Sequence, residues 1–176
     1  MASDVPEVLY FAYGSNLCFR RMRRRASSVS RTAAATLPGY EFGWSKKGVD
    51  GSGKCTIAVS PKDAIGVHGV LYRLPVEEKA ELDILEGLGT GYDEARVTVE
   101  TPTGPREATT YVAAPAHVDD SLRPYSWYRD LVVAGALEAG FPNDYVRRIA
   151  TAVAQQDPDA NREARNRADM PCGETP

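Results

Sequence analysis

Glu86 is the residue whose position in this chain most suggests proton-transfer chemistry. It ends the segment VEEKAELDILE, where apolar residues at four-residue spacing, acids in the first turn and the following Gly87 predict a helix. A carboxylate in the last turn meets the negative end of the helix dipole, at a cost of about 0.3 to 1 kcal/mol. Asp83, three residues earlier, adds like charge that disfavours ionisation. Such a carboxylate suits general acid–base catalysis, although position alone favours an exposed glutamate at a frayed helix end.

The turn at residues 13–17 is a second feature with chemical meaning. The preceding run VLYFAY, at residues 8–13, is apolar and aromatic without polar alternation, which predicts a strand covered on both faces. Gly14 ends that strand, and Ser15 or Asn16 can cap a helix expected to run from residue 16 to about residue 26. Unpaired N–H groups at a helix start form an anion site, and glycine allows close approach. The residues predicted to bind an anion are therefore Tyr13, Gly14, Ser15, Asn16 and Leu17.

Other reactive residues lack the partners that their chemistry needs. Ser15 follows a strand, but the nucleophile-elbow pattern G-x-S-x-G is absent because Leu17 stands at its final glycine. His68 and His117 have no second histidine at ligand spacing, and the three cysteines form no CxxC pair. No G-x-G-x-x-G fingerprint follows a strand. The sequence therefore predicts a reaction that needs neither metal nor cofactor.

Composition narrows the classes of partner. The chain has 176 residues, of which 43% are hydrophobic, and this is typical of one globular domain with its own core. The net charge of −3 gives no overall basic field for nucleic acid or anionic lipid, and we interpret the arginine run at residues 20–25 as a solvated or ion-paired face. No apolar stretch has the length of a membrane span, and the N-terminus lacks a signal-peptide pattern. We expect a cytoplasmic protein that binds neither nucleic acid nor membrane.

The order of predicted elements gives an α+β fold. Strands are predicted within residues 31–47, 54–61 and 65–75, and a hairpin from 95–101 and 106–113 around the turn PTGP. Helices are predicted within residues 76–87, 126–140 and 143–156. The glycine-rich loop at residues 47–54 is expected to be mobile. Residues 1–156 form the predicted domain, and residues 157–176 a polar, partly disordered tail.

Several segments together resemble the γ-glutamylcyclotransferase family. These are YFAYGSNL, GVLYRL, LDILEG, GY leading into ARVTV, and the later helix WYRDLVVAGALEAGFP, in the family's order and with similar spacing. The resemblance covers roughly residues 8–156. It implies a compact mixed β-barrel flanked by helices, and a reaction that releases 5-oxoproline from a γ-glutamyl compound. It also implies that Glu86 is the acid/base.

The resemblance also implies which chemical group the turn at residues 13–17 binds. It implies that residues 13–17 hold the α-carboxylate of a γ-glutamyl small molecule, and we expect Tyr92 and Tyr128 to line the pocket and donate hydrogen bonds. The sequence does not select the leaving group, since γ-glutamyl amino acids, γ-glutamyl amines and γ-glutamyl biosynthetic intermediates all share the same glutamyl half. A non-catalytic carboxylate-binding module and a γ-glutamyl amide hydrolase are alternatives, and the sequence leaves a homodimer open.

Overall fold

The computed structural model describes residues 5–60 and 65–170. At its centre is a closed β-barrel in the order β1–β5–β2–β6–β7, whose neighbours are antiparallel except for the parallel pair β1 and β7. The barrel strands are β1 (Glu7–Ala12), β2 (Ser30–Leu37), β5 (Val67–Pro75), β6 (Tyr92–Thr101) and β7 (Gly104–Ala113). A separate antiparallel hairpin contains β3 (Tyr40–Lys47) and β4 (Gly53–Val59).

Five helices accompany the strands in the described residues. They are α1 (Phe19–Arg25), α2 (Val76–Glu86), α3 (Ser126–Glu138), α4 (Asn143–Ala150) and α5 (Ala160–Arg167). The prediction of an α+β fold with a mixed β-barrel flanked by helices is confirmed. None of these helices is long and apolar enough to cross a membrane.

The apolar strand β1 is buried because β5 and β7 cover it on both edges of the closed barrel. Tyr10 lies opposite Tyr72 of β5, and Phe11 is completely buried. Gly69 of β5 leaves the space that Phe11 fills, since a Cβ atom at this position would lie 2.4 Å from the phenylalanine ring. Burial of such aromatic side chains contributes about 1.5 to 3 kcal/mol each. The strand therefore gives the turn that follows it a rigid base.

The helix α2 and the hairpin β6–β7 form as the sequence predicts. Pro75 precedes the first residue of α2, acids occupy its first turn, and Gly87 adopts the left-handed conformation at φ 71° that stops it. The two strands pair in continuous register from Tyr92–Ala113 to Thr101–Gly104. The sequence predicts these elements correctly because residues at their ends, such as Gly87 after α2, mark where each element stops.

The glycine-rich loop between β3 and β4 is tied down by hydrogen bonds. Gly48 N donates to Ser52 O across 2.8 Å, and the Asp50 carboxylate accepts from the Ser52 side chain and from Lys54 Nζ at 2.8 and 2.7 Å. Tyr125 also donates its hydroxyl to Asp50 O. The sequence reasoning that expected a mobile loop did not anticipate these contacts.

Two predictions about helices need correction. The expected helix from residue 16 is interrupted, since residues 15–17 form a single 3-10 turn and Cys18 is extended before α1 begins at Phe19. The polar segment from residue 157 contains the helix α5, which the sequence analysis did not predict. Asp159 caps α5 by accepting from Arg162 N, and Asp169 pairs with Arg21 of α1. Residues 171–176 of the predicted tail lie outside the described residues.

Candidate active site

Glu86 lies at the end of α2, where the chain reverses direction into the barrel. Gly87 closes the helix, and Leu88 N donates to Asp83 O across 2.9 Å, which is the bond that completes a Schellman cap. The side chain of Glu86 is 16% exposed. The helix stop thus places a largely buried carboxylate against the turn that follows β1.

The two oxygens of the Glu86 carboxylate have different surroundings. Asn16 Nδ2 donates to Oε1 across 2.9 Å, and Arg25 Nη1 donates to the same oxygen. No side chain or backbone group among residues 5–60 and 65–170 donates to Oε2. One oxygen therefore fixes the orientation of the carboxylate while the other is left to accept a proton.

The prediction that like-charged side chains surround Glu86 is wrong. Its nearest charged partner is Arg25, whereas the Asp83 carboxylate accepts from Lys79 and from the Tyr111 hydroxyl, the latter at 2.6 Å. Glu94 also pairs with Lys79, at 2.5 Å. The helix directs Asp83 to its own buried lysine, so charge repulsion does not act on Glu86 as the sequence spacing indicated. The carboxylate is instead held by a cation and an amide.

The turn after β1 presents backbone N–H groups beside Glu86. Leu17 N donates to Gly14 O across 3.0 Å, but the N–H groups of Ser15 and Asn16 donate to no described residue. The Asn16 side chain does not cap a helix; its amide donates to Glu86 and, at 3.0 Å, to the Tyr10 hydroxyl. The anion site that this turn offers consists of two N–H groups, without the dipole of the long helix that the sequence predicted.

Gly14 packs closely against its neighbours in β4 and α3. A Cβ atom at this position would lie 3.0 Å from Cys55 Cβ and 3.7 Å from the Tyr128 hydroxyl oxygen. Burial raises the pKa of the Cys55 thiol to about 12, so this thiol stays protonated at neutral pH. The turn therefore packs directly against β4 and α3, and the cysteine beside it is not a ready nucleophile.

The other two residues of the turn act differently from each other. The Tyr13 ring lines a small cavity beside Glu86, and its hydroxyl donates to Tyr111 O. Leu17 is completely buried and packs against Gly135 of α3, where a Cβ atom would come within 2.5 Å of its side chain. The sequence analysis placed Leu17 among the anion-binding residues, but its side chain anchors the turn and does not line the cavity.

Tyr92 and Tyr128 both line the space around Glu86. The Tyr92 hydroxyl donates to Cys55 O across 2.6 Å, so its proton is committed to the backbone. The Tyr128 hydroxyl accepts from Cys55 N at 3.2 Å and forms a side-chain hydrogen bond with the Cys55 thiol. Burial raises the pKa of both hydroxyls well above their usual value, so both stay protonated at neutral pH. The Tyr128 hydroxyl, unlike that of Tyr92, donates to no backbone oxygen among the described residues.

Two connected cavities meet at these residues. An inner cavity of about 30 Å³ and an outer one of about 460 Å³ share Ser15, Glu86, Tyr92 and Tyr128 in their linings. The outer volume is in the range of pockets that bind small molecules. A further cavity of about 430 Å³, lined by Tyr40, Trp44 and Tyr145 among others, contains none of the predicted site residues.

The chain resembles known proteins in sequence. A model of the AIG2-like family matches residues 66–149. A bovine protein named γ-glutamylcyclotransferase is 30% identical over 154 residues, covering 84% of this chain and 80% of that protein. A human protein of the same name is 31% identical over 158 residues, covering 83% and 79%. The chain belongs to the γ-glutamylcyclotransferase family.

Solved structures agree with this membership of the γ-glutamylcyclotransferase family. A structure titled γ-glutamyl cyclotransferase superposes with a TM-score of 0.81, covering 93% of this chain and 99% of that one, and its 24% identity supports the fold alone. An uncharacterised human protein gives a TM-score of 0.76 at 27% identity, covering 85% and 89%.

Some residues around the candidate site were missed by the sequence analysis. Arg25 belongs to a run interpreted as solvated or ion-paired, and its pairing with Glu86 joins residues 61 positions apart. Lys46 of β3, and Arg162 and Asn166 of α5, line the outer cavity. No local pattern marks these three residues, because only the tertiary fold brings them to Glu86. Within the described part of the chain, His, Cys, Asp and Glu side chains form no cluster suited to a metal ion.

Proposed function

We propose that this chain catalyses the intramolecular cyclisation of γ-glutamyl compounds and releases 5-oxoproline. The observation that carries the proposal is the asymmetry of Glu86, whose Oε1 is held by Asn16 and Arg25 while Oε2 has no partner in the described residues. This is the arrangement that a positioned proton acceptor needs. Membership of the γ-glutamylcyclotransferase family supports the same chemistry.

The substrate is bound by its α-carboxylate at the turn after β1. The free N–H groups of Ser15 and Asn16 point to an acceptor with negative charge, and the turn is adjacent to the Glu86 carboxylate. The α-amine of the bound glutamyl group then lies within reach of Glu86. This assignment is the role that the sequence analysis gave to residues 13–17, and it stays a prediction.

Glu86 moves two protons in succession, both from the attacking nitrogen to the leaving nitrogen. Its Oε2 accepts a proton from the α-ammonium group, which has a pKa of roughly 8 and is unreactive while protonated. The free amine attacks the γ-carbonyl carbon, a five-membered ring closes, and the bond between that carbon and the leaving nitrogen breaks. The proton on Glu86 passes to the leaving nitrogen as its bond to carbon breaks. The ring nitrogen still carries one proton too many, which Glu86 accepts and passes to the released amine, so the products are 5-oxoproline and an ammonium group, and Glu86 returns to its ionised form.

Ring closure needs no nucleophile from the protein. Both reacting groups belong to one molecule, and well-oriented intramolecular reactions reach effective molarities of about 10⁵ to 10⁸ M. The negative charge that develops on the γ-carbonyl oxygen requires a hydrogen-bond donor, and the Tyr128 hydroxyl, which donates to no backbone oxygen in the described residues, supplies one in our proposal. This chemistry is consistent with the protonated state of the Cys55 thiol.

A panel of γ-glutamyl amides tests the proposal. The purified protein is incubated with each compound, and mass spectrometry measures 5-oxoproline, glutamate and the released amine. Release of 5-oxoproline is expected, and it should persist after exhaustive chelation. Glutamate as the product would instead indicate a hydrolase, and binding without any product would indicate a carboxylate-binding module.

The same assay tests the anion turn. A substrate whose α-carboxylate is converted to an amide loses the charge that the N–H groups of residues 15 and 16 bind, so its KM should rise strongly. Equal processing of the acid and this amide by the unchanged protein would remove the turn from the mechanism.

A further inference from the structure

Tyr10 of β1 has a buried hydroxyl group that the proposed chemistry does not use. The residue is 4% exposed and lines the inner cavity beside Glu86. Its hydroxyl oxygen accepts from Asn16 Nδ2 across 3.0 Å, but the hydroxyl donates to no side chain or backbone group among residues 5–60 and 65–170. Burial above all, and then the Glu86 carboxylate, raise the pKa of Tyr10 well above its usual value, so the hydroxyl keeps its proton at neutral pH.

Four other tyrosines line the inner cavity, and their hydroxyl groups have protein partners that Tyr10 lacks. Tyr128 forms a hydrogen bond with the Cys55 thiol. The other three donate to fixed acceptors, which are Tyr111 O for Tyr13, Cys55 O for Tyr92 and the Asp83 carboxylate for Tyr111. A buried donor without an acceptor is costly, and a ligand that supplies the acceptor removes this cost. The hydroxyl of Tyr10 is therefore a donor prepared for a ligand.

The size and position of the inner cavity specify which part of a substrate reaches Tyr10. The volume of about 30 Å³ has room for a group of a few atoms, such as a carboxylate, whereas larger parts of a substrate need the outer cavity. Residues 13–16 of the turn after β1 line this same inner cavity. Because the proposed function places the α-carboxylate of the glutamyl group at that turn, the α-carboxylate is the group that meets the Tyr10 hydroxyl.

A carboxylate has more acceptor positions than the turn can fill. Its two oxygens offer about four lone-pair sites, and the turn presents the free N–H groups of Ser15 and Asn16. Tyr10 lies next to this turn, since its hydroxyl is bonded to the Asn16 side chain. A hydrogen bond from a neutral hydroxyl to a carboxylate is charge-assisted, so it is stronger than a bond between two neutral groups. Tyr10 can therefore add a third donor to the site.

We propose that Tyr10 is a substrate-binding residue whose hydroxyl donates to an oxygen of the α-carboxylate of the γ-glutamyl substrate. This inference rests on the proposed function. It assigns part of the discrimination for a free α-carboxylate to a side chain of the strand β1, in addition to the backbone groups of the turn. Replacing the hydroxyl should therefore weaken recognition of this one group and of no other part of the substrate.

Two substrates that differ in this group test the proposal. They are γ-glutamyl-alanine and γ-aminobutyryl-alanine, in which a hydrogen replaces the α-carboxylate, and the measured quantity is the ratio of their kcat/KM values for alanine release. In Tyr10→Phe this ratio should fall by about 10- to 100-fold, through loss on γ-glutamyl-alanine alone. Other differences between the compounds are the same for both proteins and cancel in the comparison.

The same ratio separates binding from an effect through Asn16. Tyr10→Phe also removes the oxygen to which Asn16 Nδ2 donates, and Asn16 positions Glu86. A role through Asn16 alone would lower kcat/KM equally for both compounds and leave their ratio unchanged. That result overturns the proposal.

Tyr111→Phe is the matched control. Tyr111 lines the same cavity, but its hydroxyl donates to Asp83 Oδ1 across 2.6 Å, so its loss should leave the ratio within about twofold of the unchanged protein. Phenylalanine at position 10 keeps the ring that packs on Tyr72 and Tyr111, so Tyr10→Phe should fold, and thermal unfolding measures this. An equal fall of the ratio in both variants overturns the proposal.

Binding separates failure of this proposal from failure of the proposed function. Calorimetry with Glu86→Gln protein gives the Kd of each compound without turnover, and adding Tyr10→Phe in that background should weaken binding of γ-glutamyl-alanine alone. If the unchanged protein yields no 5-oxoproline but this binding pattern is found, only the proposed reaction fails. If Tyr10→Phe weakens binding of both compounds equally, or of neither, the role of Tyr10 is overturned.

Discussion

Asn16 donates its amide proton to Oε1 of Glu86 across 2.9 Å, although the two residues are 70 positions apart in the chain. The amide is held in this orientation because Arg25 Nη1 donates to its Oδ1 at 3.0 Å, and the same amide group reaches the Tyr10 hydroxyl. One side chain thus connects the strand β1, the turn after it and the end of α2. The orientation of Glu86, the proposed base, therefore depends on Asn16, whose backbone N–H is also part of the proposed anion site.

Asn16→Ala should therefore lower kcat more than it raises KM. The change frees Oε1 from one of its two donors, and a misplaced catalytic group can cost up to about 100-fold in rate. It also leaves the buried Tyr10 hydroxyl without its donor, so the free energy of unfolding should fall by about 1 to 3 kcal/mol. Steady-state kinetics and urea unfolding measure the two effects. A kcat within twofold of the unchanged protein would contradict a positioning role.

Replacing each of two tyrosines by phenylalanine gives a matched comparison. Tyr128→Phe removes the hydroxyl that we propose as donor to the γ-carbonyl oxygen, and loss of one oxyanion donor typically lowers kcat by about 10² to 10³. Tyr92→Phe removes a hydroxyl that already donates to Cys55 O, so it should cost about 1 to 3 kcal/mol of stability with a smaller effect on turnover. Rates and thermal midpoints are measured for both variants. The reverse ranking of kcat would assign the donor to Tyr92.

The sequence predicts the parts of the site that local patterns encode. The end of α2 at Glu86 follows from Gly87, and the position of the turn follows from Gly14 after an apolar strand. The partners of these residues depend on tertiary structure. Asp83 has Lys79 one helical turn away and a tyrosine from β7, so a like-charge argument from spacing alone misjudges the environment of Glu86.

The helix α5 was missed for a different physical reason. Its residues, ANREARNR, have no apolar stripe, and sequence analysis recognises helices mainly by such a stripe. Side-chain ion pairs hold it instead, including Arg162 with Asp157 and Arg167 with Asp130. Lys46 was missed because its burial results from contact with Gly91 and the Tyr92 ring, which no pattern within β3 indicates.

Acidification should release α5 from the rest of the molecule. Hydrogen bonds from Arg162 above all lower the pKa of the Asp157 carboxyl, and Trp127 Nε1 donates to it at 2.7 Å. A lowered folded-state pKa gives stability that is present above the unfolded pKa of about 3.9 and is lost as pH falls below it. We expect Asp157→Asn to be less stable at pH 7 and to lose less on acidification. Urea unfolding at several pH values between 3 and 7 measures this, and parallel curves for the two proteins would contradict it.

The change Glu86→Gln tests the central assignment, because it keeps the size of the side chain and removes its ability to accept and return a proton. General acid–base catalysis contributes about 10² to 10⁴ in rate, so 5-oxoproline release should fall by at least that range, with little change in KM if binding depends on the turn. Gln retains an oxygen that accepts from Asn16, and the substitution removes a negative charge from a helix C-terminus while weakening the pair with Arg25. These effects oppose each other, so the free energy of unfolding should change by no more than about 1 kcal/mol. Product release and urea unfolding are measured on the same preparation: near-normal release would defeat the assignment, and loss of both activity and several kcal/mol of stability would make Glu86 part of the scaffold.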